Sequence, residues 1–188
     1  TGAHYLTLPV GPASIAMGEV KAALLGDPFN WLFNPGCLKE LEGTGLGIQY
    51  SDWIVDTKYN NASAHHRVND LVTVSGAFTY EYRPTIQGYD EFGTETEGLK
   101  SSDYQAILGI GFSPREWIGL GINVKYFGEK LDSWTANGIA VDLGLVYTFE
   151  KVNLTFGGAV QNLGSDISFE TIDEPLPTSY CFGVGHSV

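Results

Sequence analysis

Basic residues are scarce in this chain: Lys and Arg number 10 against 22 Asp and Glu, a formal charge of −12. Such a balance repels phosphate backbones and disfavours nucleic acid as a partner. Charged residues of both signs make up only 17% of the 188 residues, below the roughly 25% of ordinary soluble domains. Cysteine is limited to Cys37 and Cys181, with no CxxC or metal spacing. Two small buried hydrophobes account for them better than a disulfide does, and their redox state stays open. No run approaches the roughly 20 apolar residues of a membrane-spanning helix, and no leader is visible, which says little about compartment. The chain holds no nucleophile elbow, phosphate loop or Ser/His/acid set, so neither an enzyme nor a cofactor is expected.

What the chain has in quantity is glycine, 24 residues, and aromatics, 13%, arranged with a period of two. In the stretch 117–127, Ile118, Leu120, Ile122, Val124 and Tyr126 share one face, while Trp117, Gly119, Gly121, Asn123 and Lys125 share the other. The stretch 138–149 sets Ile139, Val141, Leu143, Leu145, Tyr147 and Phe149 against Gly138, Ala140, Asp142, Gly144, Val146 and Thr148. Counting similar stretches from residue 44 onward predicts about eight antiparallel strands of roughly 9 to 12 residues, longer than the usual 5 or 6. Glu150 and Lys151 are expected to form a two-residue turn that sets Phe149 opposite Val152. Connections should alternate between short turns, as at "HHRVND", "SPRE" and "EK", and long acidic loops, as at 83–103, 128–137 and 164–178. That is the pattern of an up-and-down outer-membrane barrel.

Residues 1–43 lack alternation and read as a compact preface, rich in turn residues at Gly26, Pro28, Pro35 and Gly36. The unlike faces of the strands then decide the solvent. A hydrated outer face would carry Lys, Glu, Arg and Thr, whereas the non-apolar face here carries Gly, Ala, Ser and Asn with a few larger polar residues. Small polar groups suit an enclosed lumen, and Asn123, Lys125, Asp142 and Gln161 are its candidate polar lining, with Lys125 and Asp142 near enough to pair. The apolar face, with Tyr80, Tyr82, Tyr104, Phe112, Tyr126, Tyr147 and Phe149 near strand ends, is assigned to lipid. A soluble sandwich or lipocalin-like barrel with the apolar face inward is the competing expectation.

Other candidate sites are thin. His65 and His66 fall in an expected turn, but adjacent histidines point apart and no second ligand pair follows, so no metal site is assigned. The acidic segment 89–103 lacks the ligand order of a calcium loop and reads as a solvated loop.

The preface, "LTLPVGPASIAMGEVKAALLGDPFNWLFNPGCL", resembles the N-terminal segment of FadL-like outer-membrane barrels, and most closely their PorV/PorQ branch, through Met17, Gly18, Asn34 and Pro35. "GINVKYF", "GIAVDLGLVY" and "FGGAVQNLG" are similar to that branch in order and spacing. Gly36 stands where the branch usually carries alanine, and an arginine common in its preface is missing around Ala13. The resemblance implies an all-β, antiparallel transmembrane barrel of about fourteen strands, with residues 1–43 as plug and 44–188 as barrel strands. About eight strands would then be an incomplete barrel that continues beyond residue 188, since a closed eight-stranded barrel is filled by its own side chains. The implied role is non-enzymatic: an integral outer-membrane protein that binds cargo or partner proteins of type IX secretion and surface attachment through its long loops. The alternatives are a FadL-like transporter of hydrophobic small molecules, with Phe29, Trp31, Leu32 and Phe33 lining a pocket between plug and wall, and a structural component of an envelope assembly.

Overall fold

The computed structural model describes residues 2–169 and 172–186. Among the described residues ten strands follow one another: β1 Thr44–Asp52, β2 Lys58–Arg67, β3 Val72–Tyr89, β4 Glu95–Arg115, β5 Ile118–Leu131, β6 Trp134–Phe149, β7 Leu154–Gly164, β8 Ile167–Phe169, β9 Ile172–Glu174 and β10 Ser179–His186. Eight of them make one antiparallel sheet in the order β1-β2-β3-β4-β5-β6-β7-β10, and β8 pairs with β9 in a separate small hairpin. Every neighbour in the large sheet but the last is also the neighbour in sequence, the up-and-down meander that the alternation predicts. Among the described residues β1 and β10 do not pair, so the sheet is open and no closed barrel is formed.

The apolar face points away from the chain's own core. On that face Leu120 is 40% and Ile48 85% exposed, with Leu143, Leu145, Ile122, Phe182 and Val184 between them, while Val141, Tyr147 and Val160 are half-buried. The opposite face is covered. Residues 2–43 lie against it as short 3-10 turns (His4–Thr7, Asn30–Leu32, Pro35–Glu40) and the helix α1 Pro12–Ala16. Phe29 meets Gly47 of β1, Trp31 meets Gly109 of β4, and Ala22 and Ala23 meet Gly157 of β7 and Gly183 of β10. One segment therefore touches the first and last strands alike, which requires the sheet to curve around it. The core is this segment: Val10, Phe29, Trp31, Leu32, Phe33, Leu38 and Leu41 cluster with Tyr59 and Ile107 of the wall. Ala3, Tyr5 and Leu6 cluster with Phe127, Ala140, Ile167 and Leu176.

Several connections differ from expectation. The stretch 128–137 is no loop: β5 and β6 run on until Leu131 faces Trp134, turning at Asp132, whose φ is +53°. Most of 83–103 is likewise strand, because β3 and β4 continue as a ribbon through Ile86↔Leu99 and Tyr89↔Glu95 beyond the end of their neighbours. His65 and His66 sit in β2, not in a turn; His65 is inward and buried, His66 outward and exposed. After β6 the chain makes a 3-10 turn at Glu150–Val152 and passes Asn153 in the left-handed region, so Phe149 faces Leu154 and Tyr147 faces Phe156. This register is two residues from the expected one; an even shift leaves every side chain on its face, which is why the face assignment survives it. The 164–178 connection carries the β8–β9 hairpin, whose Ile167 packs on Gly2. Residues 170–171 of that connection, and the last two of "VGHSV", lie outside the described residues.

Candidate functional site

The inner face of β5 and β6 is built for backbone to approach backbone. Gly119, Gly121 and Gly144 face the turn at residues 34–36, and a methyl group on Gly144 would lie 2.7 Å from the Gly36 nitrogen. A methyl on Gly36 itself would lie 2.9 Å from the Gly119 carbonyl oxygen. Side chains on either partner would hold the segment off the wall. Asn34 then fixes the turn: its Oδ1 accepts from the Gly36 N–H at 3.0 Å, and its Nδ2 donates to the carbonyls of Ala22 at 2.5 Å and Leu145 at 3.2 Å. One buried amide thus ties two parts of the N-terminal segment to β6. Asn34, Pro35 and Gly36 are all buried. Met17 and Gly18 lie elsewhere, on an exposed turn after α1 where Gly18 has φ +75°.

Below that turn lie the four polar residues picked out on the inner face, of which Asn123 and Gln161 meet the segment directly while Lys125 and Asp142 bond within the sheet. Asn123 and Asp142 are directly opposed across β5 and β6, and both are fully buried. Asp142 Oδ2 accepts from Lys125 Nζ at 2.9 Å and from Asn123 Nδ2 at 3.2 Å. Its Oδ1 accepts from the backbone N–H of Asn162 at 2.8 Å. Lys125 donates a further bond to Asn162 Oδ1 at 2.9 Å. Asn123 Nδ2 also reaches the Trp31 carbonyl at 3.0 Å, and Gln161 Nε2 reaches the Phe33 carbonyl at 2.8 Å. Asn162 was not legible beforehand. The register slips between Val141 and Leu143, and Asn162 adopts φ +57°, a bulge that turns both Gln161 and Asn162 toward the same side.

Phe29, Trp31 and Phe33 are buried at 4% exposure or less in the core cluster, and the Trp31 indole donates to Ser63 Oγ at 3.0 Å. They are packing residues of the segment. Cys37 is buried beside them, and desolvation pushes its thiol up to about 12, against a smaller opposing effect of its bond from Asn30. Cys37 and Cys181 are both free thiols.

A separate polar group lies toward the other end of the strands. Arg83 Nη2 is 2.7 Å from both Glu81 Oε1 and Asp103 Oδ2, and Arg83 Nη1 donates to Ser101 Oγ at 2.7 Å. The Tyr5 hydroxyl, donated to the Tyr104 carbonyl at 2.8 Å, is pushed well above the usual phenol range, first by burial and next by the nearby Asp103 charge. Alternation places Glu81 inward, whereas Arg83 is the first residue of the loop expected at 83–103 and so carries no face assignment. These groups border a cavity of about 490 Å³ lined by Leu8, Trp53, Ile54, Ile86, Glu81 and Glu129 among others.

Among the described residues no grouping of His, Cys, Asp and Glu is suited to hold a metal ion, and no helix is long and apolar enough to cross a membrane. No protein-family model matches the chain, and no curated protein matches it.

Proposed function

We propose that this chain is the plugged wall of an outer-membrane β-barrel of the FadL-like, PorV/PorQ kind, and that it binds secretion or envelope proteins at its rim. The observation that carries the membrane part is the inversion of the sheet: the fully buried side chains on its covered face include Asn123 and Asp142, while Ile48 and Leu108 on the other face are 85% and 73% exposed. Water would penalise that arrangement by about 25 cal/mol per Å² of exposed apolar surface; hydrocarbon would not. Aromatic rows support the same reading. Tyr80 faces Tyr104, which lies 6.3 Å from Tyr126, at one end of the band. Trp117, Tyr147, Phe149 and Phe156 form a chain of ring contacts between 4.6 and 6.0 Å at the other. From Tyr104 to Phe112 β4 rises roughly 26 Å, and about 20 Å after a barrel tilt near 40°, close to the roughly 25 Å apolar band of such proteins.

Support for a protein partner comes from the β3–β4 ribbon. Beyond Tyr82 and Ser101 it is two-stranded, and Tyr89 and Phe92 at its tip are 62% and 84% exposed. An isolated two-stranded ribbon is marginal in water without something to pack on. Passage of hydrophobic solutes through the centre has less support, because Phe29, Trp31 and Phe33 are packed tight.

Leu143→Arg tests the membrane part. Its outer position is central in β6, and a charge there should block heat-modifiable folding into lipid vesicles, while in a water-soluble sheet it would be harmless. Photo-crosslinking from position 92 tests the rim: a discrete protein adduct in envelopes supports it, and only lipid adducts would count against it.

A further inference from the structure

The cavity between the N-terminal segment, the bend at residues 53–57 and β3 is not used by the wall or by the plug. We infer that it binds an organic monocation with an apolar body, an alkyl or aryl ammonium. Its volume of about 490 Å³ lies within the roughly 300–1,000 Å³ of small-molecule sites. Leu8, Trp53, Ile54 and Ile86 supply an apolar wall. The other side is charged and unbalanced. Glu81 and Asp103 are 3% and 2% exposed, Glu129 is half-buried, and one guanidinium, that of Arg83, spans the first two. Two lining carboxylates, Glu81 and Glu129, thus share one lining guanidinium on which Asp103 also draws, and His4 and Tyr5 are the other titratable groups on the lining.

Glu81 Oε2 is the second observation. It is buried and has no hydrogen-bond partner, although the residue lines the cavity. A buried carboxylate oxygen without a donor is costly, and an ammonium N–H is the group that would satisfy it. An anion is excluded by the same excess, since both carboxylate contacts of Arg83 are already made. A metal ion does not fit, because the acids do not converge into a ligand set. Trp53 adds an aromatic surface beside the charge, as cation recognition favours. The assignment is independent of what wets the outer face.

The test is isothermal titration of the folded full chain, in a nonionic detergent, with 2-naphthylmethylammonium, the isosteric 2-naphthylmethanol and 2-naphthoate. The ammonium should bind at least about tenfold more tightly than either, as a charge-assisted bond to Glu81 implies. Glu81→Gln and Glu129→Gln should each reduce that preference severalfold and leave the alcohol unchanged, with near- and far-UV circular dichroism reporting the fold. If Glu81→Gln does not fold, Glu129→Gln decides alone. Equal binding of ammonium and alcohol, tighter binding of naphthoate, no binding below about 1 mM, or a preference that survives both substitutions, and so reflects only net charge, would each overturn the assignment.

Discussion

Asp142→Asn is the perturbation whose consequence follows most directly from the geometry. The wild-type carboxylate takes three donors, from Lys125, Asn123 and the Asn162 backbone, at 2.9, 3.2 and 2.8 Å. An amide of nearly the same shape keeps an oxygen for the Asn162 N–H but turns an NH₂ toward Lys125 and Asn123. Lys125, whose side chain is 3% exposed, then holds its charge with only Asn162 Oδ1 as partner. Breaking one side of a buried pair in this way costs about 3–5 kcal/mol, on the order of a thousandfold in the folding equilibrium. The double variant Lys125→Met/Asp142→Asn removes the stranded charge and should recover at least half of the loss, since replacing both members of such a pair is often near neutral. Urea unfolding in detergent, followed by tryptophan emission and by gel migration, measures all three proteins. A single-variant loss below about 1 kcal/mol, or a double variant no better than Asp142→Asn, would refute the claim that the buried pair ties β5, β6 and β7 together.

Gly36→Ala and Gly144→Ala should each destabilise by roughly 1–3 kcal/mol, as overpacking does, because the added carbon meets backbone at 2.9 and 2.7 Å; Gly158→Ala, whose nearest neighbour would be the Phe182 ring at 3.6 Å, should change little in the same urea titration. Cys37, with its thiol held up to about 12 by burial, should resist iodoacetamide at pH 8 until the protein is unfolded, as read by intact mass on the Cys181→Ser variant, since Cys181 is a second free and only half-buried thiol; rapid labelling of that native variant would place Cys37 outside the core. The sign for stability follows from the same shift: the folded thiol titrates above the unfolded one, near 9, so stability is unaffected below about pH 9 and falls as pH rises from there toward 12. Asn34→Ala removes the acceptor of Gly36 and the donor to Ala22 and Leu145 and should cost about 2–4 kcal/mol, with Asn34→Asp recovering only the Gly36 bond.

The parts of the fold visible in the sequence are those where one face is greasy and the other is not. β5 and β6 alternate through their central stretches because one side is covered and the other is exposed. The ribbon that extends β3 and β4 past Tyr82 was invisible for the opposite reason: both of its faces are solvated, so Thr85, Gln87, Glu95 and Glu97 carry no period. At the site, Asn123, Lys125 and Asp142 could be placed by counting, since a strand assigns sides strictly. Asn162 could not. Its inward position depends on a left-handed residue at a bulge, and nothing in "AVQNLG" distinguishes that from a continuing strand. Nor could the pairing of Glu81 and Asp103 through Arg83, which needs the register between β3 and β4.

The glycines answer what faces the covered side. An inner glycine facing open water would carry a conformational cost with no contact in return, so a wall with Gly119, Gly121, Gly144 and Gly157 inward implies something filling the space each side chain would take. Here backbone fills it: residues 34–36 against β5 and β6, Ala22 and Ala23 against β7. Because those contacts are shared with hydrogen bonds from Asn34, Asn123 and Gln161, the segment cannot shift at one point without disturbing the others. Opening a path through the middle would break several buried bonds together, each worth about 1 kcal/mol net and more where a partner is left bare. The loosely packed space lies beside the segment instead, where Trp53, Ile54 and Glu81 border the cavity. The cavity therefore lies outside this set of shared bonds, and the segment itself acts as a fixed part of the covered face.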